Sequence, residues 1–142
     1  MSTPKLHHLA VVVGDIEGSA ELYSRLLSLE PLGPVVRDPQ QKVFVQFLAG
    51  KSLGNLQLEL LSPAGDDSPV AEALAKGGGP NHLCFEVADL DETITSARKD
   101  GCRVICPPVD AAAMQGRRIA FVFTPDQQVM EFVSASSDSN QE

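Results

Sequence analysis

"NHLCFEVADLDET" at residues 81–93 restates, at a fixed interval, the strand and turn "HHLAVVVGDIEGS" of residues 7–19. His8 falls on His82, Leu9 on Leu83, Val13 on Val87 and Asp15 on Asp89, each pair 74 positions apart (82 − 8 = 89 − 15 = 74). A repeat of this period marks two copies of one supersecondary unit, each too small to bury its own apolar face alone. What one copy contains decides the fold.

In the first copy "LHHLAVVV" is apolar and β-branched, and reads as a buried strand. Asp15 offers a helix N-cap, and Ile16, Ala20, Tyr23, Leu26 and Leu27 then recur at helical spacing until Pro31, Gly33 and Pro34. A short strand around "LGPVVRD" precedes "KVFVQFLA" and "NLQLELLSP", two strands about the polar turn "GKSLGN". The connector "DSPVAEALAKGGGP" carries Ser68 as a cap, Pro69 at the first helical position and a glycine stop. Its three glycines lead into a strand and not a helix, so they read as a linker and not a phosphate loop. The second copy repeats the order: "HLCFEVA", a helix "LDETITSARKDG" capped by Asp89 and closed by Gly101, then "RVICPPV", "RRIAFVFT" and "QVMEFVSA". The expectation is one α+β domain of two tandem βαβββ modules, 4–63 and 80–135, joined by a connector at 64–79. The modules would form a curved mixed sheet around a metal-binding cleft, with a disordered tail at 136–142.

Composition narrows the partners. Net charge is −8 over 142 residues, which argues against nucleic acid or an anionic membrane surface. No apolar run approaches the roughly 20 residues that span a bilayer. "MSTPKL" lacks the pattern of a signal peptide, so a cytoplasmic location is expected. Cys84, Cys102 and Cys106 are an odd number, and read as small buried apolar residues and not as disulfides. With 43% hydrophobic residues, sheet surface is left to cover, which points to a homodimer.

Each module carries a histidine in its first strand and a glutamate in its last. His8 and Glu59 are 51 positions apart (59 − 8), and His82 and Glu131 are 49 apart (131 − 82). Both glutamates sit in apolar strands, "LQLELL" and "VMEFV", where a carboxylate is costly to bury unless paired or metal-bound. A single strand histidine is usually a hydrogen-bonded core residue, and a single strand glutamate usually faces water. Their matched placement in two copies favours a shared four-ligand site, since water-facing glutamates have no reason to keep register with histidines. Imidazole and carboxylate donors suit one divalent ion of Zn, Ni, Co, Mn or Fe better than Ca²⁺. His7 competes with His8, but its counterpart at the same offset is Asn81.

On these segments, together with "LELLSPAGDDSPVAEAL" and "GRRIAFVFTPDQQVMEFV", the sequence resembles the vicinal oxygen chelate superfamily. That superfamily includes glyoxalase I, extradiol dioxygenases and methylmalonyl-CoA epimerase, and the epimerase branch is the most similar. The resemblance spans Leu6 to about Ala135 and implies the same four ligands, His8, Glu59, His82 and Glu131. It implies a small-molecule substrate, an acyl-CoA or another carbon acid. A metal-stabilised enediolate would form on proton loss, and proton return to the other face would invert the centre. A glyoxalase-like lyase and a non-catalytic binding protein of the same fold are the alternatives; the full ligand set speaks against the second.

The chain also departs from the epimerase pattern. Counting back from "KVFVQFL", Gln40 stands where such enzymes carry a base glutamate, and Gln cannot take a proton. Glu131, a ligand able to loosen, and Glu86, on the same strand parity as His82, become the candidate acid–base residues. For Glu86 a strand-end salt bridge is the blander reading. Gln40, Gln46, Arg117 and Arg118 are the candidate substrate contacts, the arginines for a carboxylate or CoA phosphate. A solvated surface role is the competing reading for at least one arginine.

Overall fold

The β-branched "KLHHLAVV" forms strand β1, Lys5–Val12, in a computed structural model that describes residues 3–135. The expected tail at 136–142 lies outside the described residues. By compactness the chain divides into two units, one running His8–Asn81 and one from His82 onward that also takes in the stretch up to His7.

In the first unit β1 leads into α1, Ile16–Leu27, then β2, Glu30–Pro31, β3, Val36–Asp38, β4, Val43–Ala49, β5, Gln57–Pro63, and α2, Ala71–Ala75. The strand order is β2-β4-β5-β1, with β3 also paired to β4. β1 and β5 run parallel, whereas β4 is antiparallel to β5, β2 and β3, so the sheet is mixed. α1 packs its apolar stripe on one face: Ile16, Ala20, Leu29, Leu48 and Leu60 form a buried cluster, flanked by Val11, Tyr23, Phe44 and Leu58. Each large aliphatic side chain buried there contributes about 1.5–3 kcal/mol.

Three local details differ from the sequence expectation. α1 ends at Leu27, before the prolines, because Ser28 takes a left-handed conformation (φ 57°) and its N–H closes on the Ser24 carbonyl. Pro31 is then free to enter β2, a strand the pattern did not show. The connector helix starts at Ala71, since Ser68 instead caps a preceding turn, its hydroxyl accepting from the Val70 N–H. Gly78 (φ 72°) is required where it stands: a Cβ there would lie 2.5 Å from the Val12 carbonyl oxygen.

The second unit follows the expected order: β6, Gly79–Val87, α3, Leu90–Lys99, β7, Arg103–Asp110, β8, Arg118–Phe123, and β9, Val129–Ser134. Strand order is β6-β9-β8-β7, with β6 and β9 parallel and the other pairs antiparallel. Register slips between Val104 and Val109 on β7, where Pro107 and Pro108 have no N–H to give the ladder. α3 covers one sheet face through Val87, Leu90, Ile94, Ala120 and Val122. Asp89 caps it as expected, accepting the Glu92 N–H at 3.0 Å, whereas the N-cap Asp15 of α1 makes no such bond. Among the described residues Cys84 is buried and Cys102 and Cys106 are half-buried, and none is in a disulfide. The described residues contain three helices and nine strands, and no helix among them is long and apolar enough to cross a membrane.

Candidate metal centre

Each unit holds one buried imidazole–carboxylate pair on the sheet face opposite its helix. In the first, His8 Nε2 stands 3.2 Å from Glu59 Oε1; in the second, His82 Nε2 stands 3.0 Å from Glu131 Oε1. None of the four residues is more than 7% exposed.

The ladders explain the match. Across the parallel β1–β5 pair Glu59 faces Ala10, two residues after His8. Across β6–β9 Glu131 faces Cys84, two residues after His82. Residues two apart on a strand share a face, so each histidine meets its glutamate diagonally over a small buried residue. Antiparallel partners complete the setting: Phe47 lies opposite Glu59, and Phe121 opposite Glu131. Each of these rings also stands nearly perpendicular to the imidazole of its pair, at 5.1 Å and 73° for His8–Phe47 and 5.1 Å and 85° for His82–Phe121. Neither phenylalanine was singled out from the sequence, though their spacing repeats the histidine offset (121 − 47 = 74).

The donor set fits a divalent ion. Two donors each about 2.1 Å from one ion and at right angles to each other stand about 3.0 Å apart, close to the separation in both pairs. Each pair thus offers one buried imidazole nitrogen and one buried carboxylate oxygen as candidate metal donors. Of the two, the His82–Glu131 contact is itself a hydrogen bond, at 3.0 Å.

The sequence matches the model of the Glyoxalase/Bleomycin resistance protein/Dioxygenase superfamily over residues 7–121. The chain belongs to that superfamily. It is 33% identical over 124 residues to the mitochondrial methylmalonyl-CoA epimerase of Homo sapiens, covering 86% of this chain and 68% of that one. An ethylmalonyl-CoA/methylmalonyl-CoA epimerase of Cereibacter sphaeroides is 32% identical over 124 residues, covering 86% of this chain and 90% of its own. A solved variant of Streptomyces coelicolor methylmalonyl-CoA epimerase, in complex with 2-nitronate-propionyl-CoA, superposes with a TM-score of 0.81 at 27% identity. That superposition covers 96% of this chain and 100% of the other. The protein is thus an epimerase-like member of the superfamily.

The remaining expected site residues are distributed as follows. Glu86 lies on the His82 face of β6, and its carboxylate accepts from the Arg117 guanidinium at 2.8 Å. Arg117 also donates Nε to the Ser134 carbonyl at 2.9 Å, so it ties β6 to the end of β9. Arg118 is more exposed and forks onto both Asp91 oxygens at 3.1 Å. Hydrogen bonding from Arg118 holds the Asp91 carboxyl below its ordinary range, and Asp91 raises Arg118 in turn. Gln46 faces Leu60 and not Glu59 across the ladder, which puts it on the α1 face; its amide donates to the Gly33 carbonyl at 3.0 Å.

Gln40 sits in the β3–β4 turn, and the residue that organises the turn is Asp38, which sequence reasoning missed. Asp38 Oδ1 accepts the N–H groups of both Gln40 and Gln41 at 3.0 Å. It is 3% exposed and lies opposite Val43, on the strand face that Phe47 shares with Glu59. The signal was present in "RDPQQ": an Asp before Pro at a strand end is a turn initiator.

Proposed function

We propose that the protein is a metal-dependent epimerase acting on a carbon acid activated by a thioester, with methylmalonyl-CoA the first compound to test. The observation that carries this reading is the duplicated buried pair, His8 with Glu59 and His82 with Glu131, in a chain about a third identical to epimerases. These residues would supply ligands to a divalent ion, whose Lewis acidity would favour charge on the substrate oxygens as the neighbouring carbon loses its proton.

The protein's own groups would hold and move that proton. Inversion by 1,1-proton transfer needs an acid–base group for each face of the carbon. Glu131 is one, a carboxylate able to shift as substrate arrives. For the other we assign Asp38 in place of the inert Gln40: it is a buried carboxylate in the same turn and on the ligand-bearing strand face. Glu86 is the weaker candidate, because its carboxylate is engaged by Arg117. Gln40, directly beyond Asp38, remains a proposed polar contact for substrate.

Solvent deuterium exchange into methylmalonyl-CoA, followed by NMR with each candidate metal, tests the reading. Exchange at the α-carbon that depends on metal is expected. Absence of exchange with every metal, in protein shown to bind one, would remove methylmalonyl-CoA as the substrate.

A further inference from the structure

The two phenylalanines beside the candidate ligands form a second duplicated feature. Phe47 and Phe121 come from corresponding strands, face Glu59 and Glu131 in the ladders, and set their rings 5.1 Å from the imidazoles of His8 and His82. A space-filling role asks only for an apolar side chain of similar volume. It does not explain why both sites keep a flat ring at the same distance and nearly perpendicular, at 73° and 85°.

Rotation about the last side-chain bond of histidine has a broad, soft profile, so the chain must supply whatever fixes the ring plane. A perpendicular contact between two aromatic rings favours one plane electrostatically as well as sterically. A leucine would fill the space without selecting a plane. With the plane held, Nε2 is kept toward the carboxylate of its own strand pair.

We propose that Phe47 and Phe121 are positioning residues, each fixing the imidazole plane of one His–Glu pair and so setting affinity for the divalent ion. This rests on the metal-binding reading above. It extends that reading from the donor atoms to the rings that aim them, and each ring acts within its own unit.

The test is titration of the metal-free full chain with cobalt(II), read by calorimetry and by the visible absorption of the bound ion. Wild type, Phe47→Leu, Phe121→Leu, and the ring-retaining Phe47→Tyr and Phe121→Tyr are compared, with thermal melts of each metal-free protein. Each leucine variant should bind roughly tenfold more weakly, with an altered cobalt spectrum and a metal-free melt close to wild type. The tyrosine variants should stay near wild type in affinity. Leucine variants with wild-type affinity and spectrum would overturn the proposal, as would tyrosine variants as weak as leucine at both positions. Should one leucine variant fail to fold, the other position and both tyrosine variants still decide. Should wild type bind no cobalt, it is the metal reading that fails, and the role of the rings falls with it.

Discussion

The carboxylate of Asp38 accepts the backbone N–H of Gln40 at 3.0 Å, and that of Gln41 at the same distance. One buried acid therefore both shapes the β3–β4 turn and stands beside the glutamine that cannot act as a base. Asn at this position keeps an oxygen for the two N–H groups but has no useful basicity. Asp38→Asn should leave stability within about 1 kcal/mol of wild type, while proton exchange on substrate falls by roughly 10²–10⁴-fold. Urea melts and NMR-monitored exchange separate the two effects. Wild-type exchange in this variant would remove Asp38 from the acid–base pair.

Metal content follows from the pairs. Purified protein should carry about one divalent ion per chain, and the His8→Ala, His82→Ala double variant should carry none. Full occupancy in that variant, by elemental mass spectrometry, would sink the assignment of the ligands.

The two helix caps should respond differently to the same change. Asp89→Ala removes the acceptor of the Glu92 N–H and should cost about 1 kcal/mol. Asp15→Ala removes no side-chain cap bond, so its cost should be a few tenths of a kcal/mol. Paired denaturant melts compare them. Equal losses would show that Asp15 stabilises α1 in another way.

Acid should loosen the Asp91–Arg118 fork. The Asp91 carboxyl is held low by the Arg118 hydrogen bond, so its contribution is present above the ordinary carboxylate pKa and is lost as pH falls through the lowered folded value. In an NMR titration Asp91 should change charge at lower pH than an ordinary aspartate, and Arg118→Gln should bring it back up. An unchanged midpoint in that variant would mean that another group sets the shift.

Much of this arrangement was legible in the chain, for identifiable reasons. The period-2 strands, the caps and the 74-residue offset each leave a local mark, so His8, Glu59, His82 and Glu131 could be named before any coordinates. Gln46 was harder to place, because alternation says which residues share a face but not which face meets a helix. Asp38 was passed over because its burial depends on non-local packing, and the phenylalanines because an apolar residue in a strand carries no chemical flag. The end of α1 at Ser28 was hidden for a related reason, since a left-handed serine is set by what Leu29 must bury and not by its own preference.

Both candidate pairs bridge parallel ladders, and their partners lie 51 and 49 residues apart in the chain (59 − 8; 131 − 82). Such non-local pairings form late, after local helices and hairpins, because the closure entropy of the long loop must be overcome first. Neither pair can chelate until its module has closed. An ion bound there would act as a latch on the finished protein and not as a guide along the way. Stopped-flow refolding should then proceed at one rate with or without metal, while unfolding slows as the ion is added.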